Sequence, residues 1–243
     1  MIPVGGGRIE ALIRGSGQPA VVFEAGLRGG LASFAKLQER LGRSARTLAY
    51  DRAGFGRSGP ATEPRTAEQI ARNLEALIAS AGIRPPVILV CYSTGCLYTL
   101  VFAHEFPHET AGLVLIEPMT ERFEQRMRGA PAAERAAAES GLARGARDEL
   151  AALPATLAQA GKAWPLPAVP CIVVTALKPS GKWPFKTEAD MNAWLADTDA
   201  LVGRLPDATH VVLPRATHAS ILDDKSIVRP IVELIEALKP GGG

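Results

Sequence analysis

Short runs of almost wholly apolar residues recur along the chain, near Leu48, Val90, Val114, Val173 and Val211, and longer stretches of mixed polarity separate them. The runs read as strands buried on both faces, since they show apolar continuity in place of strict alternation. Two earlier segments, Arg8 to Ile13 and Ala20 to Glu24, read as a hairpin turned through Gly15-Ser16-Gly17. Between the later runs, Thr66 to Ala81 is spaced for a helix that buries Leu74 and Ile78, and Gly95 to His104 is spaced for another. Strands alternating with helices require a mostly parallel sheet covered on both faces, so the predicted fold class is α/β.

One stretch interrupts this rhythm. Thr120 to about Ala163 is rich in Ala, Arg and Glu and holds no strand-like run, so it reads as a helical insertion within about residues 119–168. With 243 residues and 47% hydrophobic content, the chain can build one large core, and residues 1–243 are read as a single domain carrying that insertion.

A formal charge of +2, from 27 basic and 25 acidic residues, leaves no basic stripe or acidic tail, which points away from nucleic acid and anionic membranes and toward a small-molecule partner. Met1 to Gly5 lacks a charged start and apolar core, and no apolar run is long enough to span a bilayer, so a soluble cytoplasmic protein is expected. Cys91, Cys96 and Cys171 have no metal-ligand spacing and are expected as reduced, inert core thiols. Gly5-Gly6-Gly7 reads as a flexible terminus, since no lysine follows to mark a phosphate loop.

The chemistry concentrates where Val87 to Val90 runs into Cys91-Tyr92-Ser93-Thr94-Gly95 and then into a helix. Such a turn strains its apex and pushes the apex side chain toward a cleft, so Ser93 reads as an exposed nucleophile. Cys91 and Gly95 supply the small residues that close strand-to-helix packing needs. A serine hydroxyl needs a base, and histidine is partly neutral at neutral pH. Of the four histidines, His104 and His108 fall at a helix end, His210 starts a strand, and His218 lies in the polar loop Pro214 to Ser220 that follows it.

These segments resemble the α/β-hydrolase superfamily from about Arg8 to Leu238. Ala20 to Leu27 is similar to its early strand and oxyanion loop, with Ala25-Gly26 where His-Gly is usual. Asp51-Arg52-Ala53-Gly54-Phe55-Gly56-Arg57-Ser58 is similar to its D-x-x-G-x-G-x-S segment, read as structural through Asp51, Arg52, Gly54 and Gly56. Cys91 to Gly95 resembles its G-x-S-x-G elbow with cysteine for the first glycine, and Ala111 to Pro118 and Leu213 to Asp223 complete the match.

The resemblance implies that Ser93 is the nucleophile and His218 the base, with backbone N–H groups of Leu27 and Thr94 as oxyanion donors. For the acid it leaves three candidates: Glu117, directly after the strand that follows the elbow helix, then Asp190 and Glu188. The insertion would be a short lid. Tyr92, with Trp164, Trp183 and Trp194, is expected near an apolar substrate pocket, and the orientation of Glu24 is left open. The implied activity is cleavage of small apolar carboxylic esters through an acyl-enzyme on Ser93, without cofactor or metal. Lactone, thioester, amide or C–C hydrolysis and non-catalytic ligand binding are the alternatives. Ser93 in place of an aspartate argues against epoxide and haloalkane chemistry.

Overall fold

The computed structural model describes residues 1–182 and 184–240. Its strands are β1 (Ile2–Val4), β2 (Gly7–Ile9), β3 (Ala11–Arg14), β4 (Val21–Glu24), β5 (Thr47–Tyr50), β6 (Val87–Tyr92), β7 (Thr110–Ile116), β8 (Cys171–Ala176) and β9 (Ala208–Leu213). The helices are α1 (Ala35–Leu41), α2 (Ala67–Ser80), α3 (Gly95–Glu105), α4 (Glu121–Arg128), α5 (Ala132–Glu139), α6 (Arg144–Ala151), α7 (Leu153–Lys162), α8 (Glu188–Val202) and α9 (Val228–Ala237).

Seven strands form one sheet in the order β3-β5-β4-β6-β7-β8-β9, parallel except for β3. Successive residues of a strand face opposite ways, and both faces here are apolar. Val22, Leu89 and Leu113 join Leu74 and Ile78 of α2, Phe102 of α3 and Ala160 of α7 in one cluster. Val21, Val90 and Val114 join Leu37 and Leu41 of α1 and Ile231 and Ile235 of α9 in the other. That two-sided burial explains the continuous apolar runs. Among the described residues, the segment between β7 and β8 holds four helices, α4 to α7, and no strand, and α7 belongs to the main core through Ala160, Leu153 and Leu157.

The predicted N-terminal hairpin is corrected. β3 pairs with β5, not β4, and β4 lies between β5 and β6. A strand buried at every position needs covered neighbours on both sides, which β5 and β6 supply. β3 exposes Ile13 and Arg14 and takes the edge. The chain leaves the expected Arg8-to-Ile13 strand at Glu10, whose N–H donates to Ser58 Oγ at 2.8 Å. The glycine run is corrected too: Gly5 and Gly6, with φ of +53° and +81°, form the turn between β1 and β2.

The cysteine expectation also changes. Cys91 near the end of β6 and Cys96 in the first turn of α3 are joined by a disulfide across the strand-to-helix reversal, with Cα atoms 5.0 Å apart. Spacing along the chain does not reveal this, because the reversal alone brings the two together. Cysteine use therefore no longer argues for a reducing compartment. Cys171 is free and buried, and burial, then Asp207, pushes its thiol up to about 12. Among the described residues no helix is long and apolar enough to cross a membrane.

Thiol alkylation followed by intact mass tests the pairing. The native protein is expected to resist the reagent. Unfolded without reductant it should take one adduct, at Cys171, and after reduction one on each of the three cysteines. Three adducts without reductant would show that the bond is absent.

Candidate active site

Ser93 sits between β6 and α3 with φ +54°, and Glu117, the residue after β7, has φ +52°; among the described residues they are the non-glycine positions with positive φ. Left-handed backbone at such residues costs about 1–3 kcal/mol and persists only where surrounding bonds enforce it. Here they do. Ser93 N–H donates to Ile116 O at 3.0 Å, Met119 N–H donates to Ser93 O at 3.1 Å, and Glu117 N–H donates to Val174 O at 2.8 Å. The elbow also needs its glycine: a Cβ on Gly95 would lie 2.5 Å from Ala25 O and 2.6 Å from Glu24 O, both backbone atoms.

Glu117 has no exposed surface, yet its carboxylate is well supplied with donors. Oε1 accepts from Ala176 N–H at 2.6 Å and from Trp194 Nε1–H at 3.2 Å, and Oε2 lies 2.7 Å from His218 Nδ1. A carboxylate as acceptor places the proton on Nδ1 and leaves the Nε2 lone pair free. The other acid candidates stand apart. Asp190 accepts from Lys186 and Thr187 N–H and from the Thr187 hydroxyl in a capping box at the start of α8, and Glu188 is exposed beside it. His210 is held by Thr175 at 2.8 Å and Asp199 at 3.0 Å, and His104 and His108 are exposed.

Tyr92 links the two halves of the site. Its hydroxyl donates to the backbone O of His218 at 2.6 Å, and its ring centroid is 4.9 Å from the imidazole. Burial, reinforced by nearby Glu117, pushes this phenol upward and keeps it a donor. The hydroxyl of Tyr92, a residue expected near the substrate pocket, is thus committed to the loop. Among the described residues no hydrogen bond joins Ser93 directly to His218. Such contacts commonly tighten only when substrate binds.

The oxyanion candidates meet at one cavity of about 190 Å³, lined by Leu27 and Thr94, by apolar side chains such as Met119 and Leu150, and by the charged Glu124, Arg128, Arg135 and Glu139. Neither the Leu27 nor the Thr94 N–H has an acceptor among the described residues. Arg52 orients the first of them. Its guanidinium donates to Ala25 O at 2.6 Å and Gly26 O at 3.0 Å. In a trans peptide C=O and N–H point opposite ways, so turning the Gly26 carbonyl inward turns the Leu27 N–H outward.

Arg52 also bridges Glu24 at 2.7 Å and Glu149 at 2.7 and 2.8 Å, all buried, while Tyr50 donates to Glu24. This answers the question of Glu24, which faces the network beneath the loop. Burial pushes its carboxyl up, and Arg52 opposes that. Burial also works against the Arg52 charge, but Glu149 and Glu24 outweigh it. Sequence reasoning missed Glu149, which reads as a solvent-facing acid of an Ala-, Arg- and Glu-rich helix.

The tryptophans divide. Trp194 is buried against Glu117, Trp164 stacks under Arg204 beside a different cavity, and Trp183 lies outside the described residues. Among the described residues no group of three or more His, Cys, Asp or Glu side chains is placed to hold a metal ion.

Gly95→Ala is expected to cost about 1–3 kcal/mol by overpacking, read as a lower thermal midpoint. Arg52→Met, which removes the guanidinium from buried Glu24 and Glu149 and leaves Tyr50 on the first and Arg65 and Tyr98 on the second, should cost about 3–5 kcal/mol by the same measurement.

A model of the Alpha/beta hydrolase family matches residues 12–234. The uncharacterized protein YqjL of Bacillus subtilis (strain 168) is 34% identical over 105 residues, 43% of this chain and 42% of that protein. The chain spans less than half the length of the curated relatives it matches. Among solved structures, a thermophilic esterase from Thermogutta terrifontis with malate bound is similar with a TM-score of 0.66 at 19% identity, over 98% of each chain. The haloalkane dehalogenase DatA from Agrobacterium tumefaciens C58 is similar with a TM-score of 0.68 at 18% identity, over 98% of this chain and 95% of that one. At these identities the structural likeness concerns the fold, and the family match extends across nearly the whole described sheet. The chain belongs to the alpha/beta hydrolase family.

Proposed function

We propose that the protein is a serine hydrolase that cleaves carboxylic esters of small, apolar substrates through an acyl-enzyme on Ser93. The observation that carries this reading is the 2.7 Å contact between the buried Glu117 carboxylate and His218 Nδ1, made at the sheet edge where Ser93 is held with φ +54°. His218 Nε2 takes the Ser93 proton as the hydroxyl attacks the ester carbonyl. Glu117 fixes the tautomer and stabilises the imidazolium that forms. The negative oxygen of the tetrahedral intermediate is met by the N–H groups of Leu27 and Thr94, each worth about 3 kcal/mol to the transition state. Protonated His218 then passes its proton to the leaving alcohol, and water, deprotonated by the same imidazole, releases the acid.

The apolar side chains Met119, Leu142, Leu150 and Leu153 beside those two donors support an apolar acyl group, while Glu124, Arg128, Arg135 and Glu139 line the same 190 Å³ cavity. The relatives of known chemistry divide between an esterase and a dehalogenase. The residue at the elbow favours the first, since a serine alkoxide forms an acyl-enzyme with an ester.

A fluorophosphonate followed by intact mass and peptide mapping tests the nucleophile. One adduct on Ser93 is expected, absent in Ser93→Ala and lost or greatly slowed in His218→Ala. With a p-nitrophenyl ester as substrate, Glu117→Gln should lower kcat about 10³- to 10⁴-fold with little change in KM. Absence of any adduct in folded protein would move the reading to a ligand-binding member of the family.

A further inference from the structure

We propose that Trp194 and Phe185, neither of them on a sheet strand, are positioning residues for the Glu117–His218 pair: Trp194 holds the acid and Phe185 holds the base. The proposal rests on the serine-hydrolase reading and deepens it by naming what tunes the base.

The argument starts from the cost of a buried carboxylate. Glu117 is fully buried, so each lone pair that water would otherwise satisfy must find a protein donor. Oε2 is committed to His218, and Oε1 takes the Ala176 N–H at 2.6 Å and the Trp194 Nε1–H at 3.2 Å. The indole is therefore, among the described residues, the one side-chain donor on the oxygen remote from the base. It also has no freedom to turn away. Trp194 is 1% exposed and packs edge-on against Phe123 at 4.4 Å and Phe185 at 5.2 Å. Phe123 belongs to α4, so the first helix of the insertion braces the indole.

Phe185 stacks on the imidazole itself, with centroids 4.5 Å apart and planes 24° from parallel. An aromatic face is electron-rich and favours a cation above it, so this ring favours the imidazolium over the neutral base. The Tyr92 ring lies 4.9 Å away on the same imidazole, and its hydroxyl anchors the His218 backbone. Among the described residues, the titratable groups that meet the ring are Glu117 from the end of β7 and Tyr92 from the end of β6. The described contacts from α8 and the segment before it are Trp194 and Phe185, which do not titrate.

The two residues act with opposite sign. The Trp194 N–H draws charge from Glu117, and its loss leaves the carboxylate a stronger partner for the imidazolium. Trp194→Phe, which keeps a ring and deletes the donor, should therefore raise the pH at which His218 loses its proton. Phe185→Leu, which deletes the ring face, should lower it. Each shift is expected to be about half a pH unit. Phe185→Tyr keeps the ring and should restore the wild-type value.

The test reads His218 in two ways on the full chain: by NMR titration of the ¹⁵N-labelled imidazole, and by the acidic limb of kcat/KM for a p-nitrophenyl ester. Thermal melts establish that each variant is folded. Opposite displacements in Trp194→Phe and Phe185→Leu, with recovery in Phe185→Tyr, support the proposal. Titrations that coincide with wild type, or that move the same way in both variants, overturn it. The NMR titration does not depend on turnover. If the ester is not cleaved and Ser93 takes no adduct, the serine-hydrolase reading fails while the positioning claim is still decided.

Discussion

A carboxylate with no exposed surface is the constraint on which the rest of this site depends. Glu117 sits where β7 ends, in a backbone conformation that non-glycine residues avoid, and Val174 O holds its N–H there. An ionised group at that depth is stable only with partners, and they come from β8, α8 and the loop after β9. Each partner requires its own element to be in register. The parallel pairing of β7 with β8 brings Ala176 N–H into reach, and the packing of α8 brings Trp194. The proposed base is therefore oriented by the sheet as a whole.

A second buried charge organises the other half of the cleft. Arg52 collects Glu24 from β4, Glu149 from α6 and the carbonyls of Ala25 and Gly26. Replacing water around a guanidinium takes several acceptors with good geometry, and here those acceptors come from β4, the Ala25-Gly26 loop and the insertion. Arg52 thus ties the insertion to the loop beside the cleft, and Arg28 adds a second tie through the carbonyls of Ala138 and Ser140. Strain at Ser93 is held in the same manner, since its N–H and C=O are claimed by Ile116 and Met119 on the next strand and the turn beyond it. The disulfide between Cys91 and Cys96 closes the elbow covalently on its buried side.

Much of this was legible from residue order. Apolar runs buried on both faces mark a strand whatever surrounds them, which is why β5 to β8 fall where the pattern put them; β9, at the other edge of the sheet, carries an apolar run in sequence but exposes Thr209 and Val212. The elbow is equally local: Cys91, Ser93 and Gly95 report a strand-to-helix turn because a side chain at Gly95 would strike the backbone at Ala25. Pairing was less legible. The edge position of β3 depends on which neighbour completes the burial of β4, and the short range between β3 and β4 favoured a hairpin that β5 displaces.

The sequence by itself determined the layered α/β architecture and the strand-to-helix elbow at Ser93, because these are written in local periodicity and turn chemistry, while the candidacies of His218, Leu27 and Thr94 followed from the resemblance to the α/β-hydrolase superfamily. Only the tertiary structure brought Glu117 to His218 and left Asp190 and Glu188 at the start of α8, turned Glu24 inward, joined Cys91 to Cys96, gave the Tyr92 hydroxyl to the His218 backbone, and brought Glu149 to Arg52 and Trp194 to Glu117. These are contacts between residues far apart in sequence or across a sharp reversal. A buried polar group takes whichever partner the packed elements deliver, and no pattern within one element encodes that choice.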